Sequence, residues 1–171
     1  MNTKLKIQFL FIACLSLLSI HSFSQTTPTD SLPGDPSIAV FPVQDLKFGA
    51  FYQSVSGGTI TIASDGTRST TGSVVQMGLG ILFCQAIFDV EAPVGTVLSI
   101  MNGPDVTLTG SNGGTMSLKL GISNPTSPFN TLIEPPGRTA VHIGGTLTVG
   151  SPAVSKPGAY TGKFFITFNQ E

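Results

Sequence analysis

From Ser37 to the C-terminus, apolar and polar residues alternate one for one in short runs, and no apolar repeat of 3.6 residues persists over ten residues. Residues 139–149 (TAVHIGGTLTV) and 158–168 (GAYTGKFFITF) carry the pattern most plainly. Alternation of this kind buries one face of a strand and wets the other, so the chain is committed to antiparallel sheets packed by their inner faces. The two runs read as consecutive strands of a closing hairpin.

Turn signals cut the rest into similar lengths. Residues 58–64 and 67–75 flank Asp65-Gly66, a pair suited to the positive φ angles of a type I′ hairpin turn. Ile60 and Ile62 then face inward while Thr59 and Thr61 face out. Strands over 82–90, 96–101 and 106–109 are separated by Pro93-Val94-Gly95 and by Asn102-Gly103-Pro104-Asp105. After Ser111-Asn112-Gly113-Gly114, the residues Met116, Leu118, Leu120 and Ile122 alternate with Ser117, Lys119 and Gly121. A proline-rich stretch over 124–138 follows, whose Phe129, Leu132 and Ile133 are expected to lie down on one end of the fold.

About nine short strands with turns every 8 to 12 residues or so predict an all-β chain, an immunoglobulin-like or pilin-like antiparallel β-sandwich. Parity assigns the core to Ile60, Ile62, Ala86, Phe88, Val90, Leu98, Ile100, Met116, Leu118, Val141, Ile143, Leu147, Val149, Phe164, Ile166 and Phe168. Gly144-Gly145 lacks the strand-to-helix setting of a phosphate loop, so a bulge or close sheet packing is the better account of it.

The first residues give a compartment. Lys4 and Lys6 precede an apolar run over 7–20, and His21-Ser22-Phe23-Ser24 supplies small residues where a signal peptidase reads. Residues 1–24 are expected to be a signal peptide cleaved after Ser24, and the mature chain to be exported to the periplasm, cell surface or exterior. The run is too short to span a bilayer, which takes roughly 18 to 20 residues, and no later stretch qualifies. An alternative uses Ile12-Ala13-Cys14 as a lipoprotein box with Cys14 acylated. Against it, the apolar core continues through Ile20.

Residues 25–36 hold three prolines and two aspartates and read as a flexible polar tail, leaving 37–171 as one domain with one core. Without the signal the chain has six basic and nine acidic residues, a charge-poor, mildly acidic surface that argues against nucleic-acid binding. Cys14 leaves with the signal, so Cys84 has no partner within the chain and reads as a buried small hydrophobe.

Candidate chemistry is thin. His142 alternates with Val141 and Ile143 and so faces outward, away from Cys84, which rules against a thiol dyad. No spacing of His, Cys or carboxylates matches a metal site, and no Asp-x-Asp-x-Asp loop is present. Asp89 and Glu91 share an outward face, where a solvated surface explains them better than an acid and base pair. No catalytic residue, cofactor or metal is expected. Phe165, with Tyr52 and Tyr160, could line a surface for a partner or a sugar, although strict parity with Phe164 turns Tyr160 inward. The chain has no tryptophan, which disfavours sugar stacking on flat rings.

Taken in order, Leu46-Lys47-Phe48-Gly49, residues 57–62 (GGTITI) with Gly66 and Arg68, residues 86–90 (AIFDV), Met116-Ser117-Leu118, residues 143–149 (IGGTLTV) and residues 158–168 resemble the bacterial family of domain of unknown function 4402. The resemblance spans about 43–168. Glu91-Ala92-Pro93 departs from the glycine with which the family usually closes that strand. What the resemblance implies is an immunoglobulin-like sandwich with a surface or fimbrial role, and it brings no catalytic residues.

The expected function is that of a non-enzymatic structural or adhesive surface protein, with a fimbrial subunit joined by strand addition as its sharper form. Its partners would be copies of itself, or surface proteins and glycans. Ile38 and Val40, within 37–43, form the candidate donor segment. If they serve the domain's own first strand, nothing is left to donate. The alternative is an extracellular glycan- or protein-binding module.

Overall fold

A computed structural model describes residues 38–171. The expected signal peptide, Cys14, the polar tail and Ser37 lie outside the described residues. Within them the chain is all β: β1 (Ala39–Gln44), β2 (Lys47–Phe48), β3 (Phe51–Ile62), β4 (Arg68–Gln76), β5 (Phe83–Cys84), β6 (Ala86–Glu91), β7 (Val97–Asn102), β8 (Val106–Gly110), β9 (Thr115–Asn124), β10 (Phe129–Asn130), β11 (Thr139–Val149), β12 (Tyr160–Thr161) and β13 (Ile166–Gln170). Nine of these have five residues or more, matching the number of alternating runs, and four are two-residue pairings.

Eight strands form one large antiparallel sheet organised around β11. One edge of β11 pairs with β9 along most of its length. The other edge is shared: Thr139–Ile143 pairs with β6, and Gly145–Val149 pairs with β3. Gly144 stands at the changeover, where a Cβ would fall on the Ile62 carbonyl oxygen. Beyond β9 lie β8 and β12, beyond β6 lies β1, and beyond β3 lies β4. A separate three-stranded sheet, β10-β7-β13, and the β2–β5 pair complete the fold.

Every residue assigned to the core by parity is buried or packs against buried neighbours, and all but Ile62 and Ala86, which are buried outside them, fall into two clusters rather than one. Ile60, Val74, Leu108, Met116, Leu118, Leu147 and Val149 form the first, with Phe51, Tyr160 and Phe164 against them. Val90, Ala92, Leu98, Val141 and Ile143 form the second, with Ile38, Val40, Phe88, Ile100, Ile166 and Phe168 against them. β11 feeds both from one face, Leu147 and Val149 to the first and Val141 and Ile143 to the second.

Four expectations change in the structure. The closing hairpin does not form, because β6 and β3 on one side and β9 on the other already fill both edges of β11. Its supposed partner divides instead: Tyr160–Thr161 pairs with β8 and Ile166–Gln170 with β7. Buried Ser155 holds the connection away from β11, its hydroxyl donating to Thr115 O at 2.7 Å and accepting from Gly150 N at 2.9 Å.

The hairpin at Asp65-Gly66 is real, but Ala63 pairs with Thr67 around a three-residue loop. Gly66 N donates to Ala63 O, and Gly66 has φ +85°, the geometry of a type I turn closed by a left-handed glycine rather than a type I′ turn. Phe129 packs on the second cluster as expected, whereas Leu132 is 80% exposed and Ile133 is exposed as well. Finally, the alternation through Ile122 breaks, for a reason that shapes the site.

Candidate functional site

β9 begins as an ordinary inner strand. Over Thr115–Leu118 it pairs with β8 on one edge, and from Ser117 it also pairs with β11 on the other. Met116 and Leu118 point into the first cluster. Pairing with β8 ends at Val106 opposite Leu118. Beyond it no strand among the described residues is paired to that edge of β9.

A bulge follows. Leu120 faces Gly145 and Ser123 faces Ile143, so Gly121 and Ile122 together stand opposite Gly144 alone. One extra residue in a strand turns every later side chain to the other face. Ile122 is thereby 76% exposed, and Ser123 is only 7% exposed. The sequence allows the distortion because Gly144 brings its strand against the backbone at Ile62, where any side chain would collide. Gly121 across from it has room only for ordinary contact with Gly144.

The displaced segment forms one wall of a groove of about 250 Å³. Leu120 to Ser123 supply that wall, Ile100 and Asn102 of β7 the opposite one, and Thr126 and Ser127 the end. Asn102 Nδ2 donates to Gly121 O at 2.9 Å, joining the two walls. Ile100 N donates to Ser127 Oγ at 2.7 Å, tying β7 to the turn after β9. Ser123 Oγ donates to Pro125 O at 2.7 Å and fixes the start of that turn.

No ionisable side chain lines the groove. Its serine hydroxyls are committed to main-chain partners, and no histidine or carboxylate stands among the lining residues to act as a general base. What it offers is apolar surface from Ile100, Leu120 and Ile122 beside neutral hydrogen-bonding groups. Its volume is below the roughly 300 to 1,000 Å³ of pockets that enclose a whole small molecule.

The residues singled out from the sequence are not gathered there. Phe165 is 72% exposed and flanks the groove through its carbonyl, which accepts from Gly103 N at 2.9 Å, one residue beyond Asn102. Tyr160 lies on β12, at the far edge of the large sheet beyond β8, packs on the first cluster and donates its hydroxyl to Lys156 O at 2.6 Å. Tyr52 is exposed on β3 beside Val75 of β4. Ile38 and Val40 pack on the second cluster, with Val40 opposite Val90 in the β1–β6 ladder.

The remaining chemistry is local. Cys84 is buried, with its thiol 3.4 Å from Asp45 O. His142 is half-buried, its Nδ1 3.1 Å from Gln85 Nε2. Glu91 pairs with Arg138 at 3.2 Å, and that guanidinium covers the Phe41 ring at 3.7 Å. Asp65 Oδ1 accepts from Thr67 N at 2.8 Å, and the amide holds the carboxyl below its ordinary range. Among the described residues no three His, Cys, Asp or Glu side chains cluster as metal ligands. No helix of the described residues is long and apolar enough to cross a membrane.

A second surface stands out by hydrophobicity. Between β4 and β5, Met77, Leu79, Ile81, Leu82 and Phe83 are all exposed. Arg68 braces the base of this loop, donating to Phe48 O at 3.1 Å and lying 4.3 Å over the Phe83 ring. Contiguous exposed apolar residues of this kind mark contact surfaces.

Missing from the sequence reading was the groove itself. Its local signals are Gly121, a glycine inside an alternating run, and Gly144-Gly145, read above as a bulge or close sheet packing, and the bulge does lie between them. A family model matches residues 38–169, that of a domain of unknown function, DUF4402. No curated protein and no solved structure matches the chain.

Proposed function

The chain belongs to the DUF4402 family, and on that premise we propose that it is a non-enzymatic structural or adhesive protein of the cell surface, which works by binding another chain. The observation that carries this reading is the groove at the β9 bulge, concave, partly apolar and without an ionisable group among its lining residues. Such a lining favours contact over proton transfer. Export rests on the sequence of residues 1–24. The test is binding by the purified chain to glycan and protein arrays, compared with an Ile122→Asp variant. Concentration-dependent hits lost in the variant support the reading; turnover of any arrayed substrate overturns it.

The fimbrial form draws on the exposed loop over 77–83, which could seat a neighbouring copy. Strand donation by Ile38 and Val40 fits less well, since both pack within their own domain. Filaments in electron micrographs that vanish on Leu79→Ser with Ile81→Ser support self-assembly. A monomer at all concentrations removes it while leaving the binding reading intact.

A further inference from the structure

We infer that the groove is a strand-accepting slot, and that its occupant is an extended, uncharged polypeptide segment of a partner protein. This rests on the reading of the groove as a binding surface and names what it binds. Two sheet edges there carry no strand among the described residues: β9 has none paired on its β8 side beyond Leu118, and β7 has none on its β10 side beyond Leu98. Open edges present main-chain donors and acceptors that an added strand can satisfy.

Two side chains already occupy such positions. The Asn102 amide donates to Gly121 O as a strand N–H would, and the Ser127 hydroxyl accepts from Ile100 N as a strand carbonyl would. Both imitate the hydrogen bonds of a chain running between the walls. Ile122 beside the β9 edge offers an apolar contact to a side chain on the facing side of an extended ligand.

Charge narrows the occupant further. The lining is neutral, so a charged side chain entering it would be stripped of water with nothing to pair it. The chain's own N-terminal sequence is a poor match. Residues 25–36 carry Asp30 and Asp35, and Pro28, Pro33 and Pro36 lack the N–H that a ladder requires. Ile38 and Val40 are engaged in the β1 region. With residues 1–24 removed as the expected signal peptide, the fitting segment belongs to another protein.

A random-peptide phage library selected on the purified chain, with counter-selection on the Ile122→Asp variant, tests the assignment. Enriched peptides should lack charge at alternating positions and bind the parent chain at least about tenfold more tightly than the variant. N-methylation of a selected peptide at alternate residues should abolish binding, and Asn102→Ala, which frees Gly121 O, should keep or tighten it. Failure to enrich, equal binding to both chains, undiminished binding of the N-methylated peptide, or loss of binding on Asn102→Ala would each overturn the slot. Glycan hits lost on Ile122→Asp, without peptide enrichment, would end this inference and leave the broader proposal standing.

Discussion

The two halves of β9 are built from similar residues and do opposite things. In Thr115–Leu118 the strand is paired to β8, and Met116 and Leu118 are buried in the first cluster. In the half after Leu118 the β8 edge is bare, the parity is reversed, and a large aliphatic side chain stands in solvent. The first half behaves as scaffold. The second leaves a large aliphatic side chain in water beside the groove. A bulge beside a groove is a common way to re-aim side chains without disturbing the rest of a sheet.

Truncating the two aliphatics measures the contrast most strongly. Leu118→Ala should cost about 2 to 5 kcal/mol in chemical denaturation, because Leu118 is 4% exposed and packs within the first cluster. Ile122→Ala should change stability by no more than about 0.5 kcal/mol. Equal losses at the two positions would mean that the alternation runs unbroken and the bulge is absent.

The glycines on either side of the bulge give the next largest difference. Gly144→Ala should destabilise by about 1 to 3 kcal/mol or more, since the new methyl meets the Ile62 carbonyl and the backbone of Ala63. Gly121→Ala meets Gly144 at an ordinary 3.5 Å and should be close to neutral. Thermal denaturation of the pair reports this directly. Ser123→Ala comes third: it leaves Pro125 O without its hydroxyl donor and should cost about 1 to 3 kcal/mol.

The smallest effect lies far from β9 and serves as a control. Asp65 accepts from the Thr67 amide, which lowers its folded pKa below the unfolded one. Its contribution to stability is therefore present above the ordinary aspartate range and lost as pH falls through its own lower value. Asp65→Asn should flatten that acid limb slightly and leave the behaviour of β9 untouched. A pH titration of the Thr67 amide resonance should show the same low midpoint.

The scaffold half of this comparison was legible in the sequence, and the open half was not. Alternation at Ile60, Ile62, Val141, Ile143, Leu147 and Val149 identifies buried positions because each strand there keeps a constant phase. Ile122 obeyed the same pattern and broke from it because register is a property of two strands. The crowding that gives Gly144 no side-chain space comes from Ile62, far away in sequence. The closing hairpin failed similarly: nothing within residues 139–168 reveals that both edges of β11 are taken by earlier strands. Leu132 and Ile133 resemble core residues in composition, yet the turn that holds them leaves them in water. The groove was hidden for the first of these reasons, since it needs the end of β9, the edge of β7 and the turn after β9 side by side.

Residue-resolved amide hydrogen exchange along β9, with and without a selected peptide, tests the central claim most directly. The open edge predicts slow exchange for the doubly paired residues through Leu118 and fast exchange for those groove-facing amides beyond it that lack a partner, with the fast set slowing when peptide is added. Uniform protection through Asn124 in the free chain, or fast amides that the bound peptide leaves unchanged, would contradict it.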